Sequence, residues 1–434
     1  MVRKPKGKGR GISLTSLLML GLTAAVLIVG VGVVGRLKNA NATLNIGRLA
    51  EELTDDWSLS LNELPTPGAT RTAEPAAALL QPVSTAGPTA TEKPAAARTV
   101  TMTLGGTFAV QSDVRQSCYY SATGSYDFGE LFSLISGRLD GDLTSVALEN
   151  LVSGRKYSDL LAPAEALSGL RGSGVGLVTL GFPKCLDKGG TVLQTTVKEA
   201  QSAGLMTAGA FLSESDATVR QQLLEVNGVQ VAFLHYTDGL SATSLKKLKN
   251  AGISWAVSVT DQAAEEIAQA KQLGAELVIV SVSWSKSVKS VSSAQRTLAQ
   301  SLTEAGADVI IGTGTRTVLP AEWLTATDGS RALCCYGLGT MISESRTDEG
   351  VAGILLHLSF AENGAGGLAL SDAAYTPTYI WHYKQDGAYH FRMVNAAGEV
   401  PDGMDSTQQR SMASCLKRIQ SRLGDDTPLR LRED

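Results

Sequence analysis

Histidine is scarce in this chain, with four in 434 residues, and aromatic residues make up only 5%. A metal centre built on several imidazoles has little to draw on, and an aromatic-lined carbohydrate groove lacks its platform. Lys and Arg number 38 against 42 Asp and Glu, a balance that gives no support to an electrostatic nucleic-acid binder with its clustered positive face. The chain has no G-x-S-x-G nucleophile elbow, no G-x-x-x-x-G-K-[ST] phosphate loop and no C-x-x-C pair. Gly-Thr-Gly at 312–314 is too short for a dinucleotide fingerprint. What is present is 43% hydrophobic residues and 45 glycines. That supplies a core, rules out a mostly disordered chain, and at this length suggests one large or two small domains with appendages.

The appendages are at the amino terminus. Arg3, Lys4, Lys6, Lys8 and Arg10 precede an uncharged stretch from Ile12 to Gly35, closed by Arg36 and Lys38. At about 1.5 Å per helical residue this stretch crosses the roughly 30 Å hydrocarbon layer. The charge asymmetry predicts residues 1–11 in the cytoplasm, residues 12–35 as a single transmembrane anchor, and the rest outside. A cleaved signal peptide is the alternative, but its apolar region is shorter, about 7 to 15 residues. Residues 36–98 form a juxtamembrane segment and a linker, with Pro65, Pro67, Pro75, Pro82, Pro88 and Pro94 among Ala and Thr. Such a composition cannot bury enough apolar surface to offset chain entropy, so it reads as an extended stalk.

The globular text spans 99–394. Short β-branched runs such as VQVAFLHY and ELVIVSVSW alternate with amphipathic stretches such as DQAAEEIAQAKQLG. Strand and helix in alternation predict an α/β domain with a largely parallel sheet, because parallel neighbours need crossover helices. Residues 395–434, including SMASCLKRIQSRLGDD, read as a short surface helix and a charged tail.

Chemistry in such a fold sits at the carboxyl ends of strands. Those junctions read Leu104-Gly105-Gly106, Ala147-Leu148-Glu149-Asn150, VTLGFPKCLDKGG, Val282-Ser283-Trp284-Ser285, IGTGTRTVLPAEW and CYGLGTM. In order and spacing they resemble the CapA family of poly-γ-glutamate capsule-synthesis proteins over about Thr99 to Leu358. The resemblance implies a metallo-dependent phosphatase-like layered sandwich, with helices outside β-sheets. It also implies where a metal site has been lost. The family's first-strand aspartate falls on Gly106, and its Asn-Asn-His on Phe182, Pro183 and Lys184. The histidine of its His-Trp-Gly falls on Ser283, with Trp284 kept. Three further histidines fall on Thr313, Gly314 and Arg316, and a late asparagine on Thr340. Glu149, Asp187, Gly189, Gly312 and Gly339 survive, as do Pro320 and Glu322 beyond the glycine loop.

Two carboxylates are too few for a two-metal hydrolytic centre, and Lys184 and Arg316 put fixed positive charge where a divalent cation would sit. Those two side chains either attract an anion, with Arg offering a bidentate fork, or are solvated or paired with Asp187 and Glu149. His235, ending VQVAFLHY, is either a replacement ligand or a hydrogen-bonded structural residue. The family frame brings the loops of Cys118 and Cys185 to one rim, implying a disulfide there; the alternative is two isolated thiols. With Cys334, Cys335 and Cys415 the count is odd, leaving at least one unpaired in a monomer. The resulting expectation is a membrane-anchored, extracytoplasmic, non-catalytic binding or scaffolding protein of the bacterial cell envelope. It would need no cofactor, and its partner would be an envelope polymer or a polymer-synthesis complex. The rival is an active divalent-metal hydrolase or capsule-polymer enzyme with a reduced site of Glu149, Asp187 and either His235 or Asp113.

Overall fold

A computed structural model describes residues 98–433, apart from 153, 155, 287, 365 and 386. The expected cytoplasmic tail, the span at 12–35 and the stalk up to residue 97 lie outside the described residues. Among the described residues no helix is long and apolar enough to cross a membrane.

The domain is a mixed α/β structure built on two sheets. The nine-stranded sheet runs in the spatial order Ala388–Asn395, Leu368–Gln385, Ala352–Glu362, Thr99–Phe108, Leu143–Leu148, Leu177–Thr179, Met206–Ala208, with Thr340–Ile342 pairing with Thr99–Phe108 and Arg430–Leu431 with Leu368–Gln385. The six-stranded sheet runs Val318–Thr325, Arg331–Leu338, Val309–Thr313, Leu277–Ser283, Val229–Thr237, Leu223–Val226. Each has a parallel half, as predicted from the strand-helix alternation. The largely parallel expectation fails toward the carboxyl terminus. There Ala352–Glu362, Leu368–Gln385 and Ala388–Asn395 follow one another as antiparallel neighbours, which need no crossover helix.

Side-chain alternation explains the layering. In Val229–Thr237, Val231 and Phe233 join the core shared with the nine-stranded sheet, while Ala232, Leu234 and Tyr236 face the other way. Leu277 and Ile279 against Val278, Val280 and Val282 repeat the pattern one strand over. The second face is covered by helices Ala263–Gln272 and Ser293–Glu304, which bury Ala263, Ile267 and Ala270, and Ala299 and Leu302. A sheet buried on both faces reads as a continuous apolar run, which is how these strands appear in the sequence.

The predicted boundary at 394 and the surface tail are corrected. Helix Ser406–Leu423 starts at Asp405, whose Oδ1 accepts from the backbone of Thr407 and Gln408. It buries Met412, Cys415, Ile419 and Leu423, an apolar stripe at helical spacing. Beyond it, Arg430–Leu431 pairs with Leu368–Gln385, and Arg430 and Arg432 form bidentate bridges to Asp372 and Asp140. Residues 395–433 are part of the domain.

Candidate functional site

The first strand carries an irregularity at its glycines. Leu104 pairs with Ser145 but Thr107 with Ala147, so one extra residue is accommodated as a bulge at Gly105 and Gly106. A Cβ on Gly106 would lie 2.3 Å from the carbonyl oxygen of Gly339 and 2.9 Å from its carbon. No side chain fits there unless the backbone moves, so this position cannot hold a ligating carboxylate in the present frame.

The bulge delivers Thr107 beside Glu149, which follows the neighbouring strand Leu143–Leu148. Thr107 Oγ1 donates to Glu149 Oε1 at 3.0 Å. The other oxygen, Oε2, accepts from Arg316 Nη2 at 2.5 Å and from Arg316 Nε at 3.2 Å. Arg316 reaches it from the loop after Val309–Thr313, in the other sheet, with φ at +55°. That left-handed backbone is unusual for a non-glycine residue, and it persists only where surrounding contacts fix it. The preceding turn provides such contacts. Gly314 has φ +80°, and a Cβ on it would sit 2.7 Å from the carbonyl oxygen of Trp284. Gly312 leaves the space that Trp284 Nε1 uses to donate to the carbonyl of Tyr336 at 2.9 Å. The indole is buried against the turn that aims Arg316 at Glu149.

Lys184 stands on the loop after Leu177–Thr179 and is exposed. Together these groups line one cavity of about 530 Å³, whose walls include Glu149, Phe182, Lys184, Trp284, Gly314 and Arg316. Seven positions predicted from strand ends thus converge: Glu149, Phe182, Pro183, Lys184, Trp284, Gly314 and Arg316. Gln111 and Asp159 join them. Neither was singled out from the sequence. Gln111 follows the first strand and accepts the Glu344 amide, and Asp159 is brought in by Asn150, which donates to its backbone oxygen.

Several expected residues are elsewhere. Asp187 does not line the cavity. Its Oδ1 accepts from Ser241 Oγ at 2.5 Å and Ser244 Oγ at 2.8 Å, tying its loop to the start of helix Ala242–Ala251. Ser283 is buried in its strand and is not among the lining residues. Asp113 is paired with Arg346, also outside this cavity. His235 is fully buried. Its Nε2 donates to the Gly181 carbonyl at 2.8 Å, which leaves Nδ1 to accept from Ser281 Oγ at 2.9 Å. Burial lowers its pKa to about 4, the Gly181 hydrogen bond opposing the shift. Both nitrogens are spent.

Of the two readings left open for Lys184 and Arg316, the structure pairs Arg316 with Glu149, and the pocket is balanced in charge. Its ionisable lining groups are Glu149 and Asp159 against Lys184 and Arg316, and the Arg316 charge is already set against Glu149. The residues present do not fit a two-metal centre. Among the described residues no group of three or more His, Cys, Asp or Glu side chains converges as metal ligands would, Gly106 has no room, and Glu149 carries a guanidinium on one oxygen and a hydroxyl on the other. The expected Cys118–Cys185 bridge is also corrected. Both are buried free thiols, and desolvation pushes each up to about 12. Cys118 Sγ lies 3.7 Å from Ser117 Oγ, in the core rather than on the rim of the cleft.

With this geometry described, the chain can be set beside known proteins. A family model for the bacterial capsule synthesis protein PGA_cap matches residues 101–345. The capsule biosynthesis protein CapA of Bacillus anthracis is 26% identical over 181 residues, covering 41% of this chain and 44% of that protein. The PGA biosynthesis protein CapA of Bacillus subtilis (strain 168) is 27% identical over 182 residues, covering 42% and 46%. The alignment thus spans less than half the length of these two curated relatives. Among solved structures, the NAD nucleotidase NadN of Haemophilus influenzae is similar at a TM-score of 0.39 and 9% identity, over 78% of this chain and 64% of that one.

Proposed function

The chain belongs to the bacterial capsule synthesis protein family PGA_cap, and on that premise we propose that it serves capsule-polymer assembly as a non-catalytic binding or scaffolding member. In this reading residues 12–35 anchor it and its domain, a metallophosphoesterase-like sandwich, works outside the membrane. The observation that carries the proposal is the Arg316–Glu149 pair. It joins a loop of one sheet to a loop of the other at the point where a hydrolytic member of such a fold would hold its metal. A guanidinium delivers positive charge and hydrogen bonds to the carboxylate, but it has no open coordination position at which to acidify water. The cleft therefore keeps its shape without keeping the means of hydrolysis.

What remains for a partner is the exposed Lys184, Asp159, the polar Gln111 and the apolar wall of Phe182 and Pro183. That set suits the carboxylates and stems of an anionic polymer better than a bond-breaking reaction. Co-sedimentation of the full chain with capsule polymer tests this. Binding that falls at least tenfold in Lys184→Glu, with no polymer or phosphoester turnover, is the expected result. Turnover abolished by chelator and by Glu149→Gln would establish the rival enzyme instead.

A further inference from the structure

A second cavity lies wholly beyond residue 345, where the family match ends. It has a volume of about 440 Å³, and the domain's last helix forms one of its walls. Thr407, Arg410, Ser411, Ser414 and Arg418 line it. Their spacing of three or four residues puts them on one face of helix Ser406–Leu423, next to the buried stripe of Met412, Cys415 and Ile419. The opposite wall is Tyr379 and His382 of Leu368–Gln385, with Arg346, Asp348 and Val351 closing the end.

Three arginines line the cavity against Asp348 within it and Asp113 beside it, leaving one positive charge over. Arg418 is paired with Asp348, through Nη2 to Oδ2 at 3.0 Å and Nη1 to its backbone oxygen at 2.8 Å. Arg346 is shared between Asp113 and the ring of Tyr389, whose centroid is 3.8 Å from its Cζ. Arg410 donates to Thr407 Oγ1 at 3.1 Å and, among the described residues, makes no ion pair. Each guanidinium has five N–H groups, so these contacts leave donors on all three. Burial and the nearby Arg346 hold the His382 imidazole below its usual range, and its Nδ1 donates to the Ile380 carbonyl at 3.4 Å, so at neutral pH it adds no charge.

We propose that this cavity binds a phosphate group, either free or carried as a phosphomonoester. The surplus positive charge, with the N–H donors left over on all three guanidiniums, favours an anion rich in acceptor oxygens. Donors arriving from a helix face, a strand and a connecting segment suit a tetrahedral set of oxygens rather than the two coplanar oxygens of a carboxylate. The hydroxyls of Thr407 and Ser414 supply short neutral donors along the helix face, while that of Ser411 donates to the Thr407 carbonyl at 3.1 Å.

Titration of the full chain in detergent with inorganic phosphate and with glycerol phosphate, followed by calorimetry and phosphorus NMR, tests the site. Acetate serves as the planar comparator. Arg410→Ala should raise the phosphate Kd about tenfold and Arg410→Glu should abolish binding. Circular dichroism should stay unchanged, because Arg410 is exposed and bonds only within its own helix. Glycerol phosphate binding as well as inorganic phosphate places the group on a carrier, and inorganic phosphate binding alone places it free in solution; either outcome supports the site. No phosphate binding by the unmodified chain, binding that survives Arg410→Glu, or acetate competing on equal terms would each overturn it.

Discussion

Replacing Arg316 with Ala removes the two charge-assisted hydrogen bonds on Glu149 Oε2 and leaves that carboxylate with Thr107 alone. The Glu149 side chain is 13% exposed and that of Arg316 39%, so the pair lies between two regimes. Breaking a fully buried pair costs about 3–5 kcal/mol, whereas an exposed pair is worth about 0–1 kcal/mol. Solvent reaches the guanidinium side, so about 1–2 kcal/mol is expected for Arg316→Ala. Alanine inherits the left-handed backbone at φ +55°, whereas glycine adopts it freely. Arg316→Gly should therefore be less destabilising than Arg316→Ala, by about 1 kcal/mol. Denaturant melts of both variants, of Glu149→Gln and of the Arg316→Ala/Glu149→Gln double variant complete a cycle. Its coupling energy should be about 1 kcal/mol or more. Additive single effects, or a glycine variant weaker than the alanine one, would refute the reading of this pair as the clasp between the two sheets.

Acid should destabilise the domain. His235 and His357 have folded pKa values lowered to about 4 by burial, with Arg432 adding to the effect at His357. With an unfolded value near 6.5 the unfolded chain binds more protons between those limits. Stability is then whole above about pH 6.5 and is lost as pH falls toward 4, by on the order of 3 kcal/mol per histidine; a melt series over that range checks it, and a flat profile would contradict it. Alkylation of unreduced protein should be slow when folded and should label all five cysteines once denatured, as mass spectrometry reads. Gly106→Asp should cost about 3 kcal/mol or more, or prevent folding, because its Cβ meets the Gly339 backbone; a stable variant with a higher metal affinity would show that the backbone yields.

Much of the site was legible because strand ends are. Glu149, Lys184, Gly314 and Arg316 stand where strands deliver their loops, and the topology carries those loops to one cavity. The pairing of Arg316 with Glu149 was one of two readings the sequence left open. Asp187 was misplaced because its partners, Ser241 and Ser244, lie on a helix more than fifty residues away, and no local pattern announces them. The closure of Gly106 depends on Gly339 across the sheet, a packing fact that the strand itself does not encode. The last helix was legible but misread. Met412, Cys415, Ile419 and Leu423 repeat at helical spacing, yet the charged residues between them suggested a surface tail. Those same charges include Arg418 of the second cavity.

The central claim is that an ion pair stands in the cleft in place of a metal, and metal stoichiometry of the purified full chain tests it most directly. After incubation with manganese, iron or zinc and desalting, elemental analysis should find no equivalent that depends on Glu149, and Glu149→Gln should match the unmodified protein. One or more equivalents retained by the unmodified chain and lost in Glu149→Gln would contradict the account.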